Sequence, residues 1–543
     1  MALARAVLAL KTSGRGALLV RRKRFSVLWK GVVHMLGTLR DNFAGTVSKW
    51  SDRKAIIHGD LTYTYGDLNA SVNRLAHRLI RLGVGKGDGV GLLLHNCAEF
   101  AIGFLACQKL GAISSCLNYR LSPASVGFAV HQEKLKALLF NAELSATAIE
   151  LMKDAGFCHF ICVGEPVPIG ASGFDECAGF PATEPPAANI KESDLCNVIH
   201  TSGTTGRPKG AAFTNETQII TAIQYCLEMG LDRGHVGMSL APVVIGAATN
   251  FFVAYVFIGA AQVMTGEYEA KKALRLIAKH KVTESFAVPT QMYQLAEAKG
   301  QLGDIDVSSL RLFRSGGSAL PRTLLHRVRD ALGCEVLNTY GTTESCTAIT
   351  NCHTGLEPED KWESIGKPSY FQDVRVIRVS DGTETEPGEF VPVPGEGQLI
   401  NRGPQSVAEY YCTPSEKLRA RGGWQYARDI VRVDGEGYIY PVDRIDNVII
   451  SGGENIYPQE IEFFLSKHPA IADVAVCGVA DEKWGHVVKA LIVRRTPGLS
   501  AEDVDRYCLE STELPRYKRP RMIQFVDALP RNVLGKIDRT ALR

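Results

Sequence analysis

A glycine- and hydroxyl-rich stretch, "HTSGTTGRPKG" from His200 to Gly210, is the first candidate for chemistry in this sequence. Successive small residues allow backbone N–H groups to converge on one point, and the serine and threonine hydroxyls add further donors. Such a loop suits phosphate oxygens, with Lys209 adding a positive charge at its rim. It is not a Walker A loop, which ends in G-K-[ST], because Pro208 precedes the lysine. Taken alone, the stretch could also be a flexible surface turn.

Four further stretches contain residues of the types that bind nucleotides or stabilise developing charge. They are "SGGSALP" (Ser315–Pro321), "NTYGTTES" (Asn338–Ser345), "RIDNVIISGGENIYPQEIE" (Arg444–Glu462) and "PRNVLGKIDR" (Pro530–Arg539). With the phosphate loop, their order and spacing resemble the adenylate-forming superfamily of acyl-CoA synthetases, aryl-CoA ligases, luciferases and peptide-synthetase adenylation domains. The resemblance covers about residues 36–543. Within the superfamily "ENIYPQEIE" is most similar to acyl-CoA synthetases, and the chain as a whole most resembles fatty-acid–CoA ligases.

The resemblance implies a ligase that works in two steps and uses ATP, Mg²⁺ and coenzyme A. A carboxylate first attacks the α-phosphorus of ATP, which gives an acyl-adenylate and pyrophosphate. The thiol of coenzyme A then displaces AMP and leaves a thioester. Both steps build negative charge, so catalysis is expected to rest on positioning and on electrostatic stabilisation by fixed donors and a metal.

The resemblance also assigns roles within the nucleotide site. Glu344 and the hydroxyl of Thr201 are expected to bind Mg²⁺, which prefers hard oxygen ligands together with phosphate. Thr343 is expected to contact the α-phosphate, and Tyr340 to lie against the adenine. The other residues assigned to ATP are Ser202, Gly203, Thr204, Thr205, Gly206, Lys209, Gly316, Gly317, Gly341 and Thr342.

The ribose-binding segment departs from the family pattern. Asp429 matches the aspartate that accepts hydrogen bonds from the ribose hydroxyls, and Arg444 is expected to reach ribose or phosphate. The family usually has W-x-x-T-G-D, whereas this chain has "WQYARD", with Ala427 and Arg428 in place of the threonine and glycine. The geometry of this loop is therefore open at the sequence level.

The carboxyl-terminal region carries the residues that the resemblance links to domain rotation. Asp446 matches the hinge position about which the small domain turns between the two half-reactions. Lys536 matches the adenylation lysine, a mobile cation brought to the developing charge on the carboxylate and the α-phosphate. After rotation, the pantetheine tunnel would be lined by Gly452, Gly453 and Glu454.

The acyl pocket is the least defined part of the site. Family members often have P-x-x-H-x-x-G facing the acyl group, but this chain has "APVVIGAATN" without the histidine. The segments 243–250 and 346–349 supply no charged side chain, which indicates an acid with an uncharged tail, held by burial at about 0.8 kcal/mol per methylene. A medium- or long-chain fatty acid is favoured over an aromatic acid.

Short β-branched runs alternate with amphipathic segments after residue 35, which predicts an α/β fold. We expect a basic extension over 1–35, an N-terminal domain over 36–442 and a C-terminal domain over 443–543. The N-terminal domain is expected to comprise doubly wound sheets plus a β-rich subdomain, and the C-terminal domain to be a small mobile α+β unit. An uncharged stretch over 236–266 is predicted to be buried core, because a proline and polar residues interrupt it.

Charge and cysteine content limit which partners and which cellular compartment are expected for the protein. The net charge is +3, too small to favour nucleic acid as the main partner, and 14 scattered cysteines indicate free thiols in a reducing compartment. Nine Lys or Arg residues precede the first acid, Asp41. This basic segment could be a solvated tail, a patch for an anionic membrane surface or a mitochondrial presequence. A cytoplasmic location, with peripheral membrane contact or the mitochondrial matrix as alternatives, is expected.

Three other functions stay open at the sequence level. The chain could be an aryl-acid CoA ligase, or it could form an acyl-adenylate and pass the acyl group to a different acceptor. It could also be a non-catalytic homologue, which the "ARD" departure and the missing acyl-site histidine suggest. Retention of Glu344, Asp446 and Lys536 argues against the non-catalytic alternative.

Overall fold

The computed structural model describes residues 37–543 except 155, 157, 202–208, 319, 347, 379–388, 408, 413–420, 452–453, 512, 532–536 and 543. The predicted extension over 1–35 thus lies outside the described residues. The first elements are α1 (Leu39–Trp50), the hairpin strands β1 (Lys54–His58) and β2 (Leu61–Thr64), and α2 (Tyr65–Arg81). Thr64 caps α2 in a reciprocal capping box with Asp67, which fixes where the hairpin ends and the helix begins.

The next elements form a seven-stranded sheet with the strand order β7-β6-β5-β3-β4-β8-β9. All neighbouring strands are parallel except β8 and β9, which form an antiparallel pair at one edge. In chain order the elements are β3 (Gly89–Leu93), α3 (Ala98–Leu110), β4 (Ile113–Cys116), α4 (Pro123–Glu133), β5 (Ala137–Asn141), α5 (Ser145–Met152), β6 (His159–Val163), β7 (Ser172–Gly173), β8 (Leu195–Thr201) and β9 (Lys209–Thr214).

A nine-stranded sheet follows, with the order β16-β15-β14-β13-β12-β10-β11-β1-β2. Its central strands are parallel and its edges antiparallel. The new elements are α6 (Asn215–Met229), β10 (Val236–Ser239), α7 (Gly246–Ile258), β11 (Ala261–Met264), α8 (Ala270–His280), β12 (Glu284–Ala287), α9 (Pro289–Leu302), β13 (Leu312–Gly316), α10 (Arg322–Leu332), β14 (Glu335–Tyr340), β15 (Thr350–His353) and β16 (Lys367–Pro368).

The uncharged stretch over 236–266 is core, as predicted. It forms β10, α7 and β11, and the phenylalanines Phe251 and Phe252 on α7 are at most 2% exposed. The largest apolar cluster joins residues of α2, α3, α6 and α7. Among the described residues, no helix has the length and apolar character needed to cross a membrane.

The β-rich subdomain and the C-terminal unit complete the chain. An antiparallel sheet contains β17 (Asp373–Ile377), β18 (Gly395–Arg402), β19 (Gln425–Val433) and β20 (Ile439–Arg444). Beyond it are β21 (Ile449–Ser451), β22 (Glu454–Ile456), α11 (Pro458–Ser466), β23 (Ile471–Asp481), β24 (Gly485–Arg494), α12 (Ala501–Glu510) and β25 (Met522–Phe525). Two doubly wound sheets, a β-rich sheet and a small α+β unit with its own apolar cluster confirm the predicted fold class.

All 14 cysteines are free thiols, and most of them are buried. Burial raises the pKa of the Cys334 thiol to about 12, so this side chain is protonated near neutral pH. The prediction of free thiols is therefore correct, and no described cysteine belongs to a disulfide framework.

A buried ion pair supports the start of the phosphate loop. His200 on β8 and Glu133 on α4 are each 4% exposed in their side chains, and His200 Nε2 lies 2.5 Å from Glu133 Oε1. Burial by itself lowers the pKa of His200, but the carboxylate of Glu133 outweighs it and holds this pKa above the ordinary value. The folded protein therefore binds the histidine proton more tightly than the unfolded chain does.

This pair predicts a pH-dependent stability. The stabilisation is fully present below the unfolded pKa of about 6.5 and is lost as the pH rises through the folded value. We expect Glu133→Gln to lower the free energy of unfolding by roughly 1–3 kcal/mol at pH 6 and by less at pH 9. Thermal unfolding of both proteins across this range measures the effect. A difference that stays constant with pH would contradict the assignment.

Candidate active site

The ends of two strands frame the predicted phosphate loop. In the β8–β9 pair, His200 lies opposite Gly210 and Thr201 lies opposite Lys209. The intervening residues Ser202, Gly203, Thr204, Thr205 and Gly206, and the side chain of Thr201, lie outside the described residues. The strand pairing therefore fixes both ends of the loop at one edge of the seven-stranded sheet.

Tyr410 connects the strand after the phosphate loop with Glu344. Its hydroxyl donates to Glu344 Oε1 at 2.6 Å, and the Lys209 ammonium lies 5.5 Å from the centre of its ring. The backbone reinforces this contact, because Tyr410 forms a bridge with Ala211 on β9. One aromatic residue thus brings the predicted phosphate-binding lysine and the predicted metal-binding carboxylate to the same place.

The segment that carries Glu344 is a short loop at the carboxyl end of β14. Thr342 caps a single turn over 343–345, and its side chain accepts a hydrogen bond from the Ser345 amide. The carbonyl of Glu344 accepts from the Val407 amide at 2.8 Å. Gly341, Thr342, Thr343 and Glu344 are all half-buried. Ligands bind at the carboxyl ends of strands in open α/β sheets, so the position of this loop is compatible with the predicted nucleotide site.

Two glycines allow close packing at the neighbouring strand end. A Cβ on Gly316 would lie 2.5 Å from the carbonyl oxygen of Thr339, and Gly317 has a φ of +88°. Both constraints exclude a larger residue without rearrangement. The close approach required at Gly316 is to the β14 backbone itself, a reason for the glycine that the sequence did not indicate.

Asp429 accepts hydrogen bonds from two of the other predicted site residues. The Tyr340 hydroxyl donates to Asp429 Oδ2, and Arg444 Nη1 lies 3.4 Å from Oδ1. Asp429 on β19 and Arg444 on β20 are paired residues of the same sheet. Burial and the adjacent carboxylate hold the pKa of Tyr340 well above its ordinary value, so the tyrosine stays a donor. The structure therefore unites the predicted adenine and ribose residues.

The "ARD" departure has a defined geometry. Arg428 has a φ of +59°, a left-handed conformation that glycine adopts without strain, whereas Ala427 is buried. Arg428 Nη2 donates to Asp446 Oδ1 at 2.5 Å, and Arg444 Nη2 lies 3.4 Å from Asp446 Oδ2. Burial raises the pKa of Asp446, but the two guanidinium groups outweigh it and hold this pKa below the ordinary value.

The remaining predicted residues cannot be placed in this arrangement. Lys536, Gly452 and Gly453 lie outside the described residues, as does the side chain of Glu454 on β22. Their roles in adenylation and in the pantetheine tunnel stay predictions.

The donor set at Glu344 fits Mg²⁺. Among the described residues, no group of three or more His, Cys, Asp or Glu could hold a metal on its own. Mg²⁺ is usually bound by one or two carboxylates together with substrate phosphates, and Glu344 has lone pairs beyond the one that accepts from Tyr410. A site completed by phosphate oxygens is therefore consistent with these residues.

Sequence reasoning missed Tyr410 and the role of Arg428. Tyr410 lies 66 residues from Glu344, and nothing in "AEYYC" marks one aromatic residue as part of a nucleotide site. The sequence did indicate Arg428, because an arginine at a glycine position is unusual, but its partner Asp446 could not be read from that signal.

Comparison with known proteins shows the family to which the chain belongs. Residues 43–411 match the family described as AMP-binding enzyme, and residues 460–536 match the AMP-binding enzyme C-terminal domain. Long-chain-fatty-acid–CoA ligase FadD13 of Mycobacterium tuberculosis is 32% identical over 488 residues, which cover 89% of this chain and 93% of that protein.

Two solved structures share the fold over nearly the whole chain. The anthranilate CoA ligase AuaEII in complex with anthranoyl-AMP has a TM-score of 0.82 at 27% identity, covering 93% of this chain and 96% of that one. O-succinylbenzoate coenzyme A synthetase of Bacillus subtilis, in complex with ATP and magnesium ion, has a TM-score of 0.80 at 28% identity, covering 92% and 98%. The chain therefore belongs to the AMP-binding enzyme family, the adenylate-forming superfamily that its motifs resemble.

Proposed function

We propose that this protein is an AMP-forming acid–thiol ligase that joins a carboxylic acid to coenzyme A, with ATP and Mg²⁺. The observation that carries the proposal is the convergence of Lys209 and Glu344 on Tyr410. It is supported by the second cluster of Tyr340, Asp429 and Arg444. The first group offers charge complementarity to phosphates and a metal, and the second offers acceptors and donors for a nucleoside.

In the first step, a carboxylate oxygen of the acid bonds to the α-phosphorus of ATP, and the bond to the pyrophosphate oxygen breaks. Lys209 and Thr343 would hold the phosphates. Glu344, with Thr201, would hold Mg²⁺, which neutralises charge on phosphate oxygens. Asp429 would accept from the ribose hydroxyls in addition to its present donors, since a carboxylate has about four acceptor sites. Lys536 would stabilise the charge that develops on the transferring group.

In the second step, the sulfur of coenzyme A bonds to the acyl carbon and loses its proton, and AMP leaves with the bridging oxygen. Asp446 is the proposed hinge for the rotation of the C-terminal domain, which switches the active site from adenylate formation to thioester formation. In the described geometry Arg428 and Arg444 both contact this aspartate. Rotation about residue 446 would have to break or rearrange these ion pairs, so Arg428 is proposed to set how readily the hinge moves.

The acid itself has two candidate classes. The apolar segment over 243–244, which is at most 2% exposed, and the similarity to FadD13 support a medium- or long-chain fatty acid. The similarity to anthranilate and succinylbenzoate ligases supports an aryl acid equally well. In either case the reaction and the nucleotide site are the same.

Release of AMP from ATP and Mg²⁺ tests the proposal, with straight-chain fatty acids and aryl acids as candidate substrates. We expect AMP to accumulate with at least one acid class, and only when coenzyme A is present. Sustained AMP release without coenzyme A would instead indicate transfer to another acceptor. If no acid led to AMP release, in a protein that still binds ATP, the result would favour a non-catalytic homologue.

A further inference from the structure

A charged pair is buried in the core next to α6, the helix that contacts the segments predicted to line the acyl site. Arg314 on β13 is 0% exposed, and its Nη1 lies 3.0 Å from Oε2 of Glu228, whose side chain is 4% exposed. The guanidinium stacks 3.6 Å from the ring centre of Tyr225. Its Nε and Nη2 have no hydrogen-bond acceptor among the described residues. Buried donors in proteins nearly always have a partner, so these two require an explanation.

Two residues of α6, Gln224 and Tyr225, link the pair to both segments that are predicted to face the acyl group. Gln224 donates to Glu228 Oε1 at 2.9 Å and to the carbonyl of Ala348 at 3.1 Å. On the other side, the hydroxyl of Tyr225 lies 3.5 Å from the carbonyl of Ala247. Tyr225 and Gln224 thus connect the pair with Ala247 and Ala348, which belong to two stretches of sequence without a charged residue.

The strand geometry gives the depth of Arg314. Successive side chains of a strand alternate between its faces, so Arg314 and Gly316 lie on the same face of β13. Two residues along a strand span about 6–7 Å. Arg314 is therefore about that distance further than Gly316 from the carboxyl end of β13, the end of the sheet at which the proposed reaction takes place.

We propose that Arg314 anchors the far end of the acyl group, and that the substrate is a compact acid with a neutral hydrogen-bond acceptor at the end of its acyl group remote from the carboxylate. This inference rests on the proposed ligase function and names its substrate class. An acceptor oxygen at that depth would satisfy Nε or Nη2 of the guanidinium. Plain long alkyl chains would meet a charged group there without satisfying it.

The acceptor is expected to be neutral because Glu228 already compensates the charge of Arg314. A second carboxylate would leave the buried site with a net negative charge, which is costly in a low-dielectric interior. A ketone oxygen gains the hydrogen bond without this cost. Arg314 would thus act as a specificity residue for the acid and have no contact with ATP.

Matched pairs of acids test this directly. 4-Acetylbenzoate and 4-isopropylbenzoate, or 5-oxohexanoate and 5-methylhexanoate, differ by the exchange of a ketone oxygen for a methyl group. Decanoate, palmitate and glutarate complete the panel. The measured quantity is the ratio of kcat/KM within each pair, because a general loss of stability lowers both members alike.

The variant that removes the anchor is the double substitution Arg314→Met with Glu228→Leu. Removing both charges together avoids an unpaired buried ion, and such exchanges are often neutral for stability. The matched control is Glu284→Gln on β12. It changes a different buried carboxylate, on the strand that pairs with β13, and this carboxylate contacts Arg311 and the Tyr255 hydroxyl.

In the unmodified protein the keto acid is expected to be preferred by about 10–100-fold, the range for a hydrogen bond to a charged group. The double variant should lose this preference, and Glu284→Gln should retain it. The proposal would be overturned if the unmodified protein used both acids of a pair equally well, or if it preferred decanoate, palmitate or glutarate. It would also be overturned if the double variant kept the preference for the keto acid. AMP release with none of the acids would overturn the proposed function, and this inference with it.

Discussion

Replacing Lys536 by alanine is expected to lower the rate of adenylate formation by at least about 10²–10³-fold, the loss typical of one preorganised stabilising group. Thioester formation from acyl-adenylate supplied ready-made should stay nearly unchanged. The reason is the proposed rotation: the lysine faces the α-phosphate in the first half-reaction and has moved away in the second. Pyrophosphate release measures the first step, and acyl-CoA formation from synthetic acyl-adenylate measures the second.

A second lysine of the C-terminal domain provides the control. Lys467 forms an exposed ion pair with Glu513 at 2.6 Å, and exposed pairs contribute little. Lys467→Ala should leave both half-reactions unaltered. An equal loss in both steps for Lys536→Ala would contradict the assignment of this lysine to adenylation alone, and with it the rotation about Asp446.

Replacing Glu344 by glutamine should lower the rate of pyrophosphate release by roughly 10²-fold, because the carboxylate expected to bind Mg²⁺ becomes a neutral amide. The Mg²⁺ concentration needed for half-maximal rate should rise as well. Tyr410→Phe tests the hydrogen bond to Glu344 separately from the carboxylate charge. It removes only the hydroxyl that donates to Glu344, and it keeps both the carboxylate and the ring beside Lys209. Its effect should stay below about tenfold.

Titration of Mg²⁺ at fixed ATP measures these variants, with calorimetric binding of the nucleotide as a readout independent of turnover. A normal Mg²⁺ requirement in Glu344→Gln would remove this residue from the metal site. An equally large loss in Tyr410→Phe would show that the contact between the two residues matters more than the charge.

Much of the fold could be predicted because its elements are locally encoded. The alternation of strands such as "GVGLLL" with helices such as "AEFAIGFLACQKL" follows from hydrophobic periodicity, and the Thr64 and Asp67 capping box marks a helix start within four residues. The candidate nucleotide site could be located in the sequence for a related reason. Its loops lie at strand ends, where Gly316 and Glu344 stand in short, distinctive sequence patterns.

What escaped prediction depends on contacts between distant parts of the chain. The two segments predicted to face the acyl group carry no charge, but the charged pair linked to them comes from α6 and β13. Arg314 and Glu228 are separated by 86 residues, and an arginine in "RLFRSGG" gives no local sign that it is buried. Tyr410 and the Arg428–Asp446 pair were missed for the same reason: only the tertiary structure brings the partners together.

Transfer of an oxygen label tests the central claim most directly. An acid labelled with ¹⁸O in its carboxylate is incubated with the protein, ATP, Mg²⁺ and coenzyme A, and the AMP is examined by mass spectrometry. If the acyl group passes through an adenylate, one carboxylate oxygen stays on the α-phosphate, so each AMP should carry one ¹⁸O and form together with acyl-CoA. Unlabelled AMP, or ADP with the label in inorganic phosphate, would contradict an AMP-forming ligase.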